Sequence, residues 1–173
     1  MYPFSIPSGL NVVPESSGIN RLGSASTPFN TVHTLAVSGC STKQLTIHVH
    51  ALTSSPADGA TIYWGMLPKA PVTTGGQSKI YVRKPCTIKR AEIYTYAGTA
   101  GTAENWSTYI RVNNTTDTLI ATVGAATNER VFSNTALNIS LNAGDYFEIK
   151  QVNPTWATNP LTYIPGGYIY IEE

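Results

Sequence analysis

Along most of the chain, apolar residues recur at every second position. Leu45, Ile47 and Val49 alternate with polar neighbours, as do Leu137, Ile139 and Leu141, then Phe147 and Ile149, then Ile169 and Ile171. Trp106, Thr108, Ile110 and Val112 form an inward set, while Ser107, Tyr109 and Arg111 point out. A period of two sorts side chains onto the two faces of a strand, whereas a helix repeats its apolar positions every three or four residues. Residues 61–65, 78–82 and 87–97 add short runs rich in β-branched and aromatic side chains. A return strand is expected over 118–123, with Leu119, Ala121 and Val123 on one face.

Chain breakers separate these runs. Ser54-Ser-Pro-Ala-Asp-Gly59, the Pro68, Pro71, Gly75, Gly76 segment and the small-residue loop 98–103 each favour turns over regular structure. Asn113-Asn114 follows a strand directly, and Asn tolerates the positive φ of a tight hairpin. Eight or nine short strands with turns between them, and no helical stretch, predict an all-β fold. The expected architecture is an antiparallel β-sandwich of the jelly-roll type.

Residues 1–34 break this rhythm. Pro3, Pro7, Pro14 and Pro28, with Gly9, Gly18 and Gly23, deny both helix and central strand. Isolated apolar residues (Phe4, Ile6, Val12, Val13, Ile19 and Leu22) stud the segment, unlike a uniformly polar linker. It is expected to be an extended N-terminal arm that attaches to a partner through those six side chains. Residues 35–56 are expected to form a β-hairpin, Leu35 and Val37 facing 45–49 across the turn 38–42, and residues 57–173 the sandwich.

Composition narrows the function. Only 12 % of the 173 residues are charged and the formal net charge is +1, against 42 % apolar and 10 % aromatic. Neither nucleic acid nor an anionic membrane would be attracted by that balance, and no apolar run approaches a membrane span. The start of the chain has no basic residue before Arg21 and no apolar run, so no secretory signal is expected there. Without one, Cys40 and Cys86 are expected to be free thiols, and the Asn-x-Ser/Thr sequons at Asn105, Asn113, Asn114 and Asn138 carry no weight.

Catalytic chemistry finds little to use. His48-Val-His50 puts two imidazoles on one strand face, but no carboxylate follows closely and no later histidine exists, so one chain offers two ligands. There is no Gly-x-Ser-x-Gly elbow and no phosphate-cradling loop. Asp145, Glu148, Glu104 and Glu129 have no recognisable catalytic spacing. The expectation is a non-enzyme without cofactor or metal. Lys79, Arg83, Lys84, Lys89 and Arg90 form the one basic cluster, interleaved with Tyr81, Tyr94 and Tyr96; alternation and Pro85 divide it between faces. Trp64, Trp106, Trp156 and the outward tyrosines offer rings on which sugars stack, though Trp106 sits in an inward set. Tyr109, Tyr146, Tyr168 and Tyr170 are instead expected at a subunit interface.

One resemblance adds to this. Leu137-Asn-Ile-Ser-Leu141, Asn142-Ala-Gly-Asp145 and Tyr-Phe-Glu-Ile149 resemble the late strands of C1q/TNF-like jelly rolls, in which a Gly-Asp turn joins two alternating strands. Gly166-Gly-Tyr-Ile-Tyr-Ile171 is similar to their final strand. Gly144 allows a tight reversal, and the Asp145 carboxylate can accept backbone N–H groups left open by the turn. With the charge-poor, Thr/Ala/Asn/Gly-rich composition, the chain resembles bacteriophage virion proteins that carry such domains. The resemblance implies a homotrimer and a place on the virion, assembled in the host cytoplasm. The absence of a repetitive shaft points to a capsid decoration, cement or vertex protein, held on the major capsid protein or another virion protein by its arm. The alternative is a receptor-binding tail-fibre or spike tip that binds host-surface glycan through loops 98–105 and 154–165.

Overall fold

The computed structural model describes residues 43–52, 55–67, 69–102, 104–124 and 128–173, which belong to one compact unit, Ser41–Glu173. Among the described residues ten strands run in chain order: β1 (Gln44–His50), β2 (Thr61–Trp64), β3 (Ile80–Tyr81), β4 (Cys86–Tyr96), β5 (Trp106–Val112), β6 (Thr116–Val123), β7 (Glu129–Asn134), β8 (Ile139–Leu141), β9 (Tyr146–Val152) and β10 (Ile164–Glu172). All pairings among them are antiparallel. Sheet I has the order β1-β10-β4-β7, with β8 also on β4; sheet II has the order β2-β9-β5-β6, with β3 also on β9. Each sheet therefore has one outer position made of two short pieces. Counting each split position once leaves eight strand positions in the order of a jelly roll. The all-β sandwich expected from the alternation is the fold observed.

The two inner faces build the core. Val49, Ile88, Ile93, Ile110, Phe147, Ile149 and Ile169 are fully buried between the sheets. At one end Trp106 packs edge-on against Phe132 and Tyr163, and Val123 and Trp156 join it. The Tyr163 hydroxyl donates to Gln151 Oε1 at 2.7 Å, and Gln151 Nε2 donates to Asn153 Oδ1 at 2.7 Å. Burial pushes the Tyr163 phenol far above its ordinary range, a shift its bond to Gln151 only partly offsets.

Two bulges set the phase of the strands. In β6 the register slips where Thr108 pairs with Ala121 and Tyr109 with Leu119, leaving Ile120 as the extra residue. Ile120 is buried and Leu119 is 43 % exposed. The expected face of Leu119, Ala121 and Val123 is thereby corrected: one added residue shifts the alternation, so that Leu119 falls outside while Ala121 and Val123 stay inward. A second slip opposite Tyr170 and Ile171 leaves Lys89 unpaired in β4, and lets Ile88 and Ala91 both face the core.

The turns use the expected chemistry. Asn113 and Asn114 have φ of 50° and 58°, the left-handed conformation expected of them, in the three-residue connection 113–115 between β5 and β6, where the Thr115 N–H donates to the Val112 carbonyl at 3.0 Å. Gly144 has φ 93°, and Asp145 Oδ2 accepts the Asn142 N–H at 2.7 Å. The same carboxylate accepts from Asn113 Nδ2 at 2.8 Å, so one acid ties two hairpin tips together. These bonds, first that from Asn113 and then that from Asn142, hold the Asp145 carboxyl below the usual carboxylate range.

Candidate functional site

The sandwich presents two outer faces of different character. Outward positions on sheet I are His48 and His50 on β1, Gly166, Tyr168 and Tyr170 on β10, Arg90, Glu92 and Tyr94 on β4, and Val131 on β7. Tyr94 is 40 %, Val131 71 %, Ile164 37 % and Tyr168 47 % exposed. Gly166, without a side chain, floors a shallow groove of about 340 Å³ whose walls are His48, Glu92, Tyr94, Val131 and Tyr168. The His48 ring lies 5.1 Å from His50 and 5.2 Å from Tyr168, centroid to centroid. Partial desolvation, then the Glu129 carboxylate, raise the Tyr94 phenol above its ordinary value.

Tyr170 is occupied by its own chain. The Arg90 guanidinium stacks 3.8 Å from its ring centroid, and its hydroxyl donates to Glu92 Oε2 at 3.1 Å. Tyr168, more exposed, has only the His48 ring against it among the interactions seen.

Sheet II is covered on its outer side over β2 and β9, while Tyr81 on β3 and Leu119 on β6 stay exposed. Residues 65–67 and 69–79 leave β2, return to pair Val72 with Tyr63 through two backbone hydrogen bonds, and fold back over β9. Glu148 lies beneath this loop, fully buried, and accepts the N–H groups of Gly76 at 2.7 Å and Ser78 at 3.3 Å. An acid on an outward strand position is normally a solvated charge; here it is a clasp for the loop. Beside it, Asp117 joins Arg111 (2.8 Å) and Lys150 in one ion-pair cluster, and Asn114 receives two further bonds from Arg111.

The four tyrosines expected at an interface are therefore not brought together. Tyr168 and Tyr170 lie on sheet I; Tyr109 and Tyr146 lie on sheet II, where Lys150 and Lys79 sit over their rings at 5.6 and 4.5 Å. Trp64 and Trp156 are buried to 2 % and 5 % exposure, so they are core residues rather than stacking platforms for sugar. Loops 98–105 and 154–165 bridge to one another at Thr99–Leu161 and Thr102–Thr158, with Trp156 beneath. The arm residues Phe4, Ile6, Val12, Val13, Ile19 and Leu22, the Leu35–Val37 half of the hairpin, His33 and Cys40 lie outside the described residues.

The chain matches no protein-family model, and no curated protein is significantly similar to it. Chemistry on the described residues is correspondingly spare. No three of their His, Cys, Asp and Glu side chains converge as metal ligands. Cys86 is a free thiol, raised above its ordinary value by burial and then by Glu173, which leaves little thiolate for nucleophilic work. Sequence reasoning missed Glu148 and the covering loop. The only local signal was a carboxylate at an outward position between Phe147 and Ile149, with a glycine pair, Gly75-Gly76, far upstream.

Proposed function

We propose that the chain is a non-enzymatic virion structural protein, a capsid decoration or cement protein of the kind its late strands resemble among bacteriophage C1q/TNF-like domains. In this reading it assembles as a homotrimer, and residues 1–34 fasten it to the shell. The observation that carries the reading is the asymmetry of the two outer faces. The middle of sheet II is covered by the β2–β3 loop and a paired charge cluster, leaving Tyr81 and Leu119 exposed only at opposite margins, whereas sheet I leaves Tyr94, Val131, Ile164 and Tyr168 open together on one face. Clustered exposed aromatic and aliphatic side chains mark association surfaces more often than bare solvent faces.

Symmetry then chooses between the tyrosines. Closing a three-fold ring needs contact patches inclined to one another, whereas patches on opposite faces of a sandwich propagate a filament. The sheet I face is thus assigned to the three-fold axis, with Tyr168 as its aromatic anchor; Tyr109 and Tyr146 face away from it. Attachment rests on buried area instead of chemistry. Ordering an arm costs conformational entropy that Phe4, Ile6 and the other apolar anchors offset, and three arms on one trimer raise each other's effective concentration.

The test is the mass in solution with the substitutions Val131→Lys and Tyr168→Lys. The wild-type chain is expected to be a trimer by light scattering, and the double variant a monomer whose far-ultraviolet spectrum is unchanged. Deleting residues 1–34 should leave a folded trimer that no longer decorates particles. A monomeric wild type would end the trimer assignment, and normal decoration by the truncated chain would end the arm's role.

A further inference from the structure

We propose that residues 79–84, with Tyr146, form a binding site for an acidic polysaccharide chain, separate from the sheet I face. Tyr81 is 62 % exposed, the most exposed aromatic among the described residues for which a large apolar surface is seen. It pairs across strands with Tyr146, the ring centroids 5.6 Å apart and the planes at 56°. Lys79 Nζ sits 4.5 Å from the Tyr146 centroid and 6.0 Å from that of Tyr81. Tyr146 is thereby used to hold an ammonium in place, and Tyr81 remains the open ring.

The charges around this ring are unspent. Lys43, Lys89, Arg90, Arg111 and Lys150 each form an ion pair with an acid, whereas Lys79, Arg83 and Lys84 form none among the described residues. All three are exposed. Of the adjacent acids, Asp145 has its carboxylate filled by Asn113 Nδ2 and the Asn142 N–H, and Glu173, which lines a depression with Tyr81 and Arg83, is paired with Lys43 at 3.3 Å. The site is therefore locally cationic although the whole chain carries a formal charge of only +1.

Shape selects the ligand. Lys79, Tyr81 and Arg83 occur at every second position on and beside β3, and all three are exposed, so an ammonium, a ring and a guanidinium share one exposed segment. The Cα atoms of the two cations are four residue steps apart, at most roughly 13 Å at strand rise. Cations on either side of an open ring suit an extended polymer with repeated charges. A sugar ring offers an apolar C–H face to Tyr81 and carboxylates to the flanking cations. Single-stranded nucleic acid needs successive open stacking platforms, and Lys79 already occupies the face of Tyr146.

The experiment titrates the full chain with an alginate hexasaccharide, using maltohexaose as the neutral control, at low and high salt. Binding is expected for the acidic chain alone and should weaken as salt screens the site. The Lys79→Ala/Arg83→Ala/Lys84→Ala variant should lose about tenfold or more in affinity, and Tyr81→Ala a smaller factor with the salt dependence retained. Thermal melts of both variants check the fold. Equal affinity for the neutral sugar, unchanged binding by the folded triple variant, or tighter binding of oligo-dT or poly-glutamate would each overturn the proposal. Because the site lies off the sheet I face, this result and the oligomeric mass succeed or fail separately.

Discussion

Two adjacent glycines offer a stringent test of the sheet I register. A Cβ built on Gly167 would lie 2.1 Å from the Glu92 carbonyl oxygen and 3.0 Å from the Ile93 Cα, both backbone atoms of β4. Real Cβ contacts essentially never fall below 3.0 Å, so Gly167→Ala must part β10 from β4 by roughly 0.9 Å. Overpacking of this kind costs about 1–3 kcal/mol, and stretching one or two ladder hydrogen bonds adds about 1 kcal/mol each. About 3 kcal/mol is a large part of a domain's total stability and corresponds to a fall in Tm of about 10 °C. At Gly166 the same added methyl meets only the Val49 oxygen at 3.5 Å and the His50 Cβ at 3.9 Å, ordinary van der Waals distances. Gly166→Ala should therefore remain within about 1 kcal/mol of wild type. Urea titrations of the two variants, followed by tryptophan fluorescence, provide the comparison. If Gly166→Ala is the more damaging, or both are tolerated equally, the pairing of β10 with β4 is displaced and the steric argument fails.

Two further outcomes follow from the strand phases and the turns. Ile120→Ala should cost about 2–4 kcal/mol in chemical unfolding, whereas Leu119→Ser, on the solvent side of the bulge, should stay within about 0.5 kcal/mol. Equal costs would contradict the bulge. Asp145 has its pKa lowered in the folded state, so its stabilising contribution is present above the unfolded carboxyl value of about 4 and fades as pH falls below it. The gap in Tm between wild type and Asp145→Asn should therefore be widest near neutral pH and shrink toward pH 3; a gap constant with pH would refute the hydrogen-bonded carboxylate.

The strands that carry two or three alternating apolar residues were legible in the sequence, because burial of one face leaves that period directly in the chain. β7 was not. Its sequence, Glu-Arg-Val-Phe-Ser-Asn, lies at the sheet margin, with Val131 outside and only Phe132 packed inward, so a single apolar contact stands in for a pattern. The phase of β6 was misread for a different reason: a bulge changes the count by one, and no residue type announces it. Asp145 was legible in part: its bond from the Asn142 N–H lies within its own turn, whereas that from Asn113, 32 residues away, does not. Glu148 was not, since its donors sit 70 and 72 residues away and only tertiary structure brings them together. The division of the tyrosines between opposite faces likewise depends on which strands share a sheet, which alternation alone does not state.

Splitting one outer position in each sheet has an engineering consequence. β2 and β3 are each registered independently against the continuous β9, and β7 and β8 against β4. The chain between the two pieces of a pair can thus change length without sliding either piece out of alignment, provided that in the β2–β3 loop the Val72–Tyr63 pairing and the Gly76 and Ser78 bonds to Glu148 are kept. These junctions are natural places to graft foreign peptides, carried as cargo on a scaffold that keeps its own alignment.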